Sequence, residues 1–115
     1  MPSALDQTTL RKLERDIGAD ADTMRELIDT FLGEGPRIVQ TLEDAARTGA
    51  VKEVNRAAHS LKSTAATFGA TQLSTLCREL ERDTTGTLPA DVQARVRALA
   101  AEWARVRAEL EALRP

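Results

Sequence analysis

The one histidine of the chain, His59, is followed by Lys62 and Ser63 three and four residues on, and a glutamate, Glu81, stands in the next segment. An imidazole, an ammonium one helical turn later and a carboxylate from a neighbouring element could together do one kind of chemistry. A histidine of ordinary pKa is neutral for much of its population at pH 7 and can attack a phosphoryl group through one ring nitrogen. Such transfer depends mostly on alignment and on neutralising charge on the equatorial oxygens. Lys62 offers a compact positive charge for that purpose. Ser63 is small and lets a partner approach closely. The other ring nitrogen needs an acceptor to fix its tautomer. Glu81, about 90° off the apolar seam of its own helix, lies on a flank that could face His59, where its charge would favour the positive imidazole that attack creates.

These residues sit in the stretch Val51 to Glu81, VKEVNRAAHSLKSTAATFGATQLSTLCRELE. Val51, Val54, Ala58, Leu61, Ala65 and Phe68 recur at steps of three and four, the seam of a helix packed in a bundle. At roughly 100° per residue His59 points about 130° from the centre of that seam. Arg56 and Ser63 share its side, and Lys62 stands between it and the buried stripe. The ring belongs in water.

Other chemistries fit poorly. A metal site between bundle helices needs several inward carboxylates and histidines, and there is a single, outward histidine. Ser–His–Asp hydrolysis needs a pocket and an oxyanion hole, whereas Ser60 and Ser63 lie on an exposed helix whose N–H groups are already used. The run GEGPR is neither a phosphate-binding loop nor preceded by a strand, so the chain is not expected to bind and cleave ATP. The lone Cys77 gives no internal disulfide and no metal cluster. The net charge of −2 argues against nucleic acid. Residues 51–115 hold ten bases and eight acids against six and ten before them, a mildly basic half that suits an acidic protein partner. No apolar run reaches bilayer length and the first residues carry no basic-then-apolar signal, so the plain expectation is a cytoplasmic protein.

The 115 residues suit one domain. An apolar set rich in Leu and Ala, only three aromatic residues and no period-two alternation predict an all-α fold. Five segments follow in order. A short helix over about 8–17, capped by Asp6 and stopped at Gly18, should lie across one end of the bundle. The second, 22–48, carries Met24, Leu27, Ile28 and Phe31, then Ile38, Val39, Leu42 and Ala46. Pro36 interrupts its hydrogen bonding but not its apolar phase, which predicts one long kinked helix. The third covers 50–68 and closes at Gly69. The fourth, 70–84, turns Leu73, Leu76, Cys77 and Leu80 inward. The fifth, 89–113, opens with Pro89 at its first position and repeats Val92, Val96, Leu99, Trp103, Val106, Leu110 and Leu113. That repeat suits shallow antiparallel packing, and the short connections make sequential neighbours antiparallel.

The order His59-Ser60-Leu61-Lys62-Ser63, a run of small residues to Gly69, then Leu73, Leu76, Cys77 and Leu80-Glu81 resembles the signature of the histidine-containing phosphotransfer (HPt) domain. The entry from Leu5-Asp6 through Gly18 to Phe31-Leu32 is also similar. The resemblance implies an antiparallel up-and-down four-helix bundle with an additional short N-terminal helix. It implies a monomeric carrier that shuttles phosphoryl groups between receiver-domain aspartates of hybrid histidine kinases and response regulators. His59 would be the phosphoacceptor, Lys62 the neighbouring cation and Glu81 the residue that orients the ring. Arg56, Ser60, Ser63, Thr67 and Arg78 would form the receiver-docking face. No cofactor is implied for this chain, Mg²⁺ being expected on the receiver only, and neither nucleic acid nor membrane is implied as a partner. Ser63 departs from the glycine expected after the lysine, which bears on the fit of the receiver. Histidine kinase dimerisation domains also carry a phosphorylated histidine, but on two long helices followed by an ATP-binding domain, a pattern this sequence lacks. The competing reading is a helical adaptor that binds through the same face without chemistry.

Overall fold

The computed structural model describes residues 2–114, which form five helices and, among those residues, no strand. They are α1 (Gln7–Asp16), α2 (Ala21–Thr48), α3 (Val51–Thr67), α4 (Thr71–Arg82) and α5 (Val92–Leu113). The helices α2 to α5 form a four-helix bundle in which α2 packs on α3 and α5, and α4 packs on the same two. The 28 residues of α2, at 1.5 Å rise each, make about 42 Å, so this helix alone sets the 43 Å long axis of the molecule.

Each element follows from its local sequence. Asp6 caps α1 by accepting from the Thr9 N–H at 3.1 Å and Asp20 caps α2 through Asp22 N–H, each satisfying a donor the first turn leaves free. Gly49 ends α2 in the left-handed conformation, which costs glycine nothing. Across Pro36 the helix α2 is unbroken. The missing N–H costs roughly 3 kcal/mol, and the burial of Ile28 and Phe31 on one side of the proline and Val39 and Leu42 on the other offsets it at about 1.5–3 kcal/mol per fully buried side chain.

The core gathers one stripe from each bundle helix: Ile28, Phe31 and Leu42 of α2, Val54, Leu61 and Ala65 of α3, Leu73, Cys77 and Leu80 of α4, and Leu99, Val106 and Leu110 of α5 are all sealed from solvent. Phe31 stacks on Phe68 with ring centres 5.2 Å apart and tilts against Trp103 at 4.9 Å, within the range of favourable aromatic pairs. The six-membered ring of Trp103 in turn packs against Gly35, where any Cβ would collide with the indole.

The N-terminal segment is clasped to the bundle. The Glu109 carboxylate accepts from Ser3 Oγ at 2.5 Å, from Ala4 N–H at 2.6 Å and from Leu5 N–H at 3.3 Å, while Arg105 donates to the Pro2 carbonyl. Asp6 N–H then donates to the Gly69 carbonyl at 2.7 Å. Gly69 has φ 74°, and a Cβ there would meet the Asp6 carbonyl at 2.9 Å, so the turn between α3 and α4 and the entry to α1 fit only around glycine.

Five details depart from the sequence expectation. The helix α4 stops at Arg82, not Thr84: Thr84 N–H turns to the Glu81 carbonyl in a tighter turn, and the buried Thr84 hydroxyl bonds the Leu80 carbonyl at 2.8 Å. The helix α5 begins at Val92, not Pro89. The Pro89 carbonyl instead accepts the Val92 N–H in a tight turn that precedes the helix. Leu76 is half-buried rather than inward, since it flanks the Leu73–Cys77–Leu80 stripe. Val51, in the first turn of α3, is half-buried too, and Leu113, in the last turn of α5, is exposed. The remaining boundaries shift by at most one residue, the usual ambiguity of a helix end.

Candidate functional site

Helix α3 holds its inward stripe with Val54, Ala57, Ala58, Leu61 and Ala65, so the residues of the opposite face are forced outward. His59 is one of these. Its side chain is 59% exposed, and it stands over the seam between α3 and α4. The Nδ1 atom lies 2.8 Å from Glu81 Oε2, and Lys62 Nζ donates to Glu81 Oε1 at 2.7 Å. A single carboxylate thus uses one oxygen for the ring and the other for the ammonium. Its pKa is held below the ordinary 4.5, chiefly by the Lys62 hydrogen bond, with the bond to His59 adding to this and partial burial opposing it. Glu81 is therefore ionised at neutral pH and can only accept. The proton of the bond must then sit on Nδ1, which in the neutral ring leaves Nε2 as the nitrogen with the free lone pair.

Beside the ring runs an open groove lined by Lys52, Asn55, Arg56, His59, Thr85 and Gly86, so a partner can reach the imidazole from that side. Two cations on its rim make the approach favourable for an acidic group. Asn55, one turn before His59, faces the end of α4. Its Nδ2 donates to the Glu81 carbonyl at 2.8 Å and to Thr84 Oγ1 at 3.2 Å.

Of the residues singled out from the sequence, the structure brings His59, Lys62 and Glu81 together. Lys62 is at the same time engaged with Glu81. Arg56 borders the groove, and Ser60 lies toward α2 in a separate depression with Ile38 and Thr41. Ser63 is exposed, with its hydroxyl turned back on the His59 carbonyl at 3.3 Å, and Thr67 does the same to Ser63 at 3.1 Å. Thr67 is eight residues from His59, about 12 Å along the axis. Arg78 is exposed on α4, one turn before Glu81. Asn55 was not singled out. The available signal was its place four residues before His59, which on a helix puts it on the same face.

Among the described residues no group of histidine, cysteine, aspartate or glutamate side chains could hold a metal ion, and no helix is long and apolar enough to cross a membrane. Cys77 is fully buried behind Glu81, and burial pushes its thiol up to about 12, so it is no nucleophile.

A family model described as the Hpt domain matches residues 26–114. Among solved structures, the histidine-containing phosphotransfer protein B (HptB) of Pseudomonas aeruginosa PAO1 is similar to this chain, with 25% identity and a TM-score of 0.89 over 99% of this chain and 96% of that one. No curated protein matches.

Proposed function

We propose, from the premise that this chain belongs to the Hpt domain family and is a histidine phosphotransfer protein of a phosphorelay, that His59 is the residue that carries the phosphoryl group. The observation that supports this most is the ring itself, exposed on α3 with Nδ1 committed to Glu81 and Nε2 left over. In the forward step Nε2 attacks the phosphorus of an aspartyl phosphate on a receiver domain. The N–P bond forms, the P–O bond to the aspartate breaks, and the electron pair leaves with the aspartate carboxylate. The proton stays on Nδ1, and Glu81 stabilises the cationic phosphoimidazole through it. In the return step a second receiver's aspartate attacks phosphorus and the imidazole leaves neutral.

Lys62 is the cation within reach of the transferred group, and it acts by exchanging Glu81 for phosphoryl oxygens. Mg²⁺ belongs to the receiver, and the phosphoryl group comes from that partner rather than from ATP bound here. Arg56, Ser60, Ser63, Thr67 and Arg78 form the rim on which the receiver sits, as a monomeric, cytoplasmic carrier requires. Because the Ser63 hydroxyl bonds back to its own helix, the site keeps the low profile that a glycine would give it.

The test mixes the protein with a receiver carrying labelled phosphate. Label is expected on the wild type and not on His59→Gln, while both bind the receiver. Transfer to His59→Gln would refute the assignment. Binding by the wild type without transfer would support the inert adaptor instead.

A further inference from the structure

The last turn of α4 leaves the carbonyls of residues 79–82 without helical partners. Three accept from within the segment: Asp83 N–H donates to Glu79, Thr84 Oγ1 to Leu80, and Thr84 N–H and Oγ1 make long bonds to Glu81 at 3.4 and 3.3 Å. The Glu81 carbonyl is different, because its short bond, 2.8 Å, comes from another helix, from Asn55 Nδ2. The second N–H of that amide serves Thr84 Oγ1 at 3.2 Å. Both donors of Asn55 are thus spent on the end of α4, from a half-buried position at the edge of the groove.

Residues 55, 59 and 62 are spaced four and three apart and share one face of α3. All three reach the same residue across the seam. Asn55 takes the backbone of Glu81, while His59 and Lys62 take one carboxylate oxygen each. The carboxylate stands at the end of three rotatable bonds, and its bond to Nδ1 is only as well aimed as the backbone it hangs from. We infer that Asn55 is a positioning residue for phosphoryl transfer: it holds the Glu81 main chain in register with His59, so that the carboxylate fixes the ring with Nε2 outward. This rests on the reading of His59 as phosphoacceptor. Small errors of alignment are costly in group transfer, so loss of the tie reads out in rate and not only in stability.

The experiment measures initial rates of transfer from a phosphorylated receiver to the wild type, Asn55→Ala, Glu81→Ala and the double variant. The Nδ1–H tautomer of His59 is followed in ¹⁵N-labelled protein. Asn55→Ala is expected to slow transfer about five- to tenfold and to reduce the Nδ1–H population. In the Glu81→Ala background it should change the rate less than twofold, because Asn55 acts through Glu81. Should the alanine variant fail to fold, Asn55→Asp, of the same shape but without N–H donors, is compared in the same two backgrounds. Transfer at the wild-type rate, or an equal loss in both backgrounds, would overturn the inference and leave Asn55 a purely structural tie. A wild type that takes no label on His59 sinks the functional reading and this inference with it. A labelled wild type matched by Asn55→Ala sinks only the inference.

Discussion

Replacing Lys62 with methionine, which keeps most of the apolar stem and removes the charge, separates two roles the structure gives one side chain. At rest the ammonium is 2.7 Å from Glu81, with both partners partly buried at 29% and 24% exposure. Pairs with solvent access are worth about 0.2–1 kcal/mol, so losing this one should cost at most about 1 kcal/mol. For a domain of this length that is a fall in Tm of roughly 4 °C. During transfer the same charge faces a phosphoryl group. Two unit charges 4 Å apart near a protein surface interact by about 4 kcal/mol at most. Leaving Glu81 consumes about 1 kcal/mol of that, and solvent screening reduces the rest to about 1.5–3 kcal/mol. The transfer rate should therefore drop by roughly ten- to 150-fold. The assay is rapid-quench transfer from a phosphorylated receiver at fixed salt, beside thermal melts of both proteins. A rate within twofold of the wild type would refute the argument, because Lys62 would then only anchor Glu81. A Tm loss beyond about 10 °C would refute it from the other side, making the lysine structural.

Gly35→Ala places a methyl in collision with the Trp103 indole. The ring is wedged against Phe31 and cannot yield, so urea unfolding followed by tryptophan fluorescence should show a loss of about 1–3 kcal/mol, against the usual gain from replacing a helical glycine. Cys77, with its thiol raised from 9.0 to about 12 by burial, should resist iodoacetamide at pH 8.5 at least about a hundredfold better in the native state than in urea. By the same shift, the contribution of this protonated thiol to stability is complete below pH 9 and is lost as pH rises from there to about 12. Melts across that range check the sign.

The bundle was legible because its stripes are nearly pure. The periodicity of Val54, Ala58, Leu61 and Ala65 forces His59 outward whatever the partner helices do. The phase carried across Pro36 was enough to keep α2 whole. What sequence could not supply was register between helices. Whether Glu81 met His59, Lys62 or its own neighbours Arg78 and Arg82 depended on how far α4 slides along α3, and side-chain spacing along one helix says nothing of that. For the same reason the Lys62–Glu81 pair and the Asn55 tie were not visible. The end of α4 and the start of α5 were misplaced for a local reason, the tight turns in which Thr84 N–H bonds Glu81 and Val92 N–H bonds Pro89.

The clasp of Glu109 on Ser3, Ala4 and Leu5 gives the molecule a moored pole. Pro2, bound by Arg105, and the last turn of α5 lie on that side with the Asp6–Gly69 contact, while the groove next to His59 opens toward Val51 and Thr85. A fluorescent protein or a surface tether joined at either end would hang from the moored side and leave the visiting receiver's path clear.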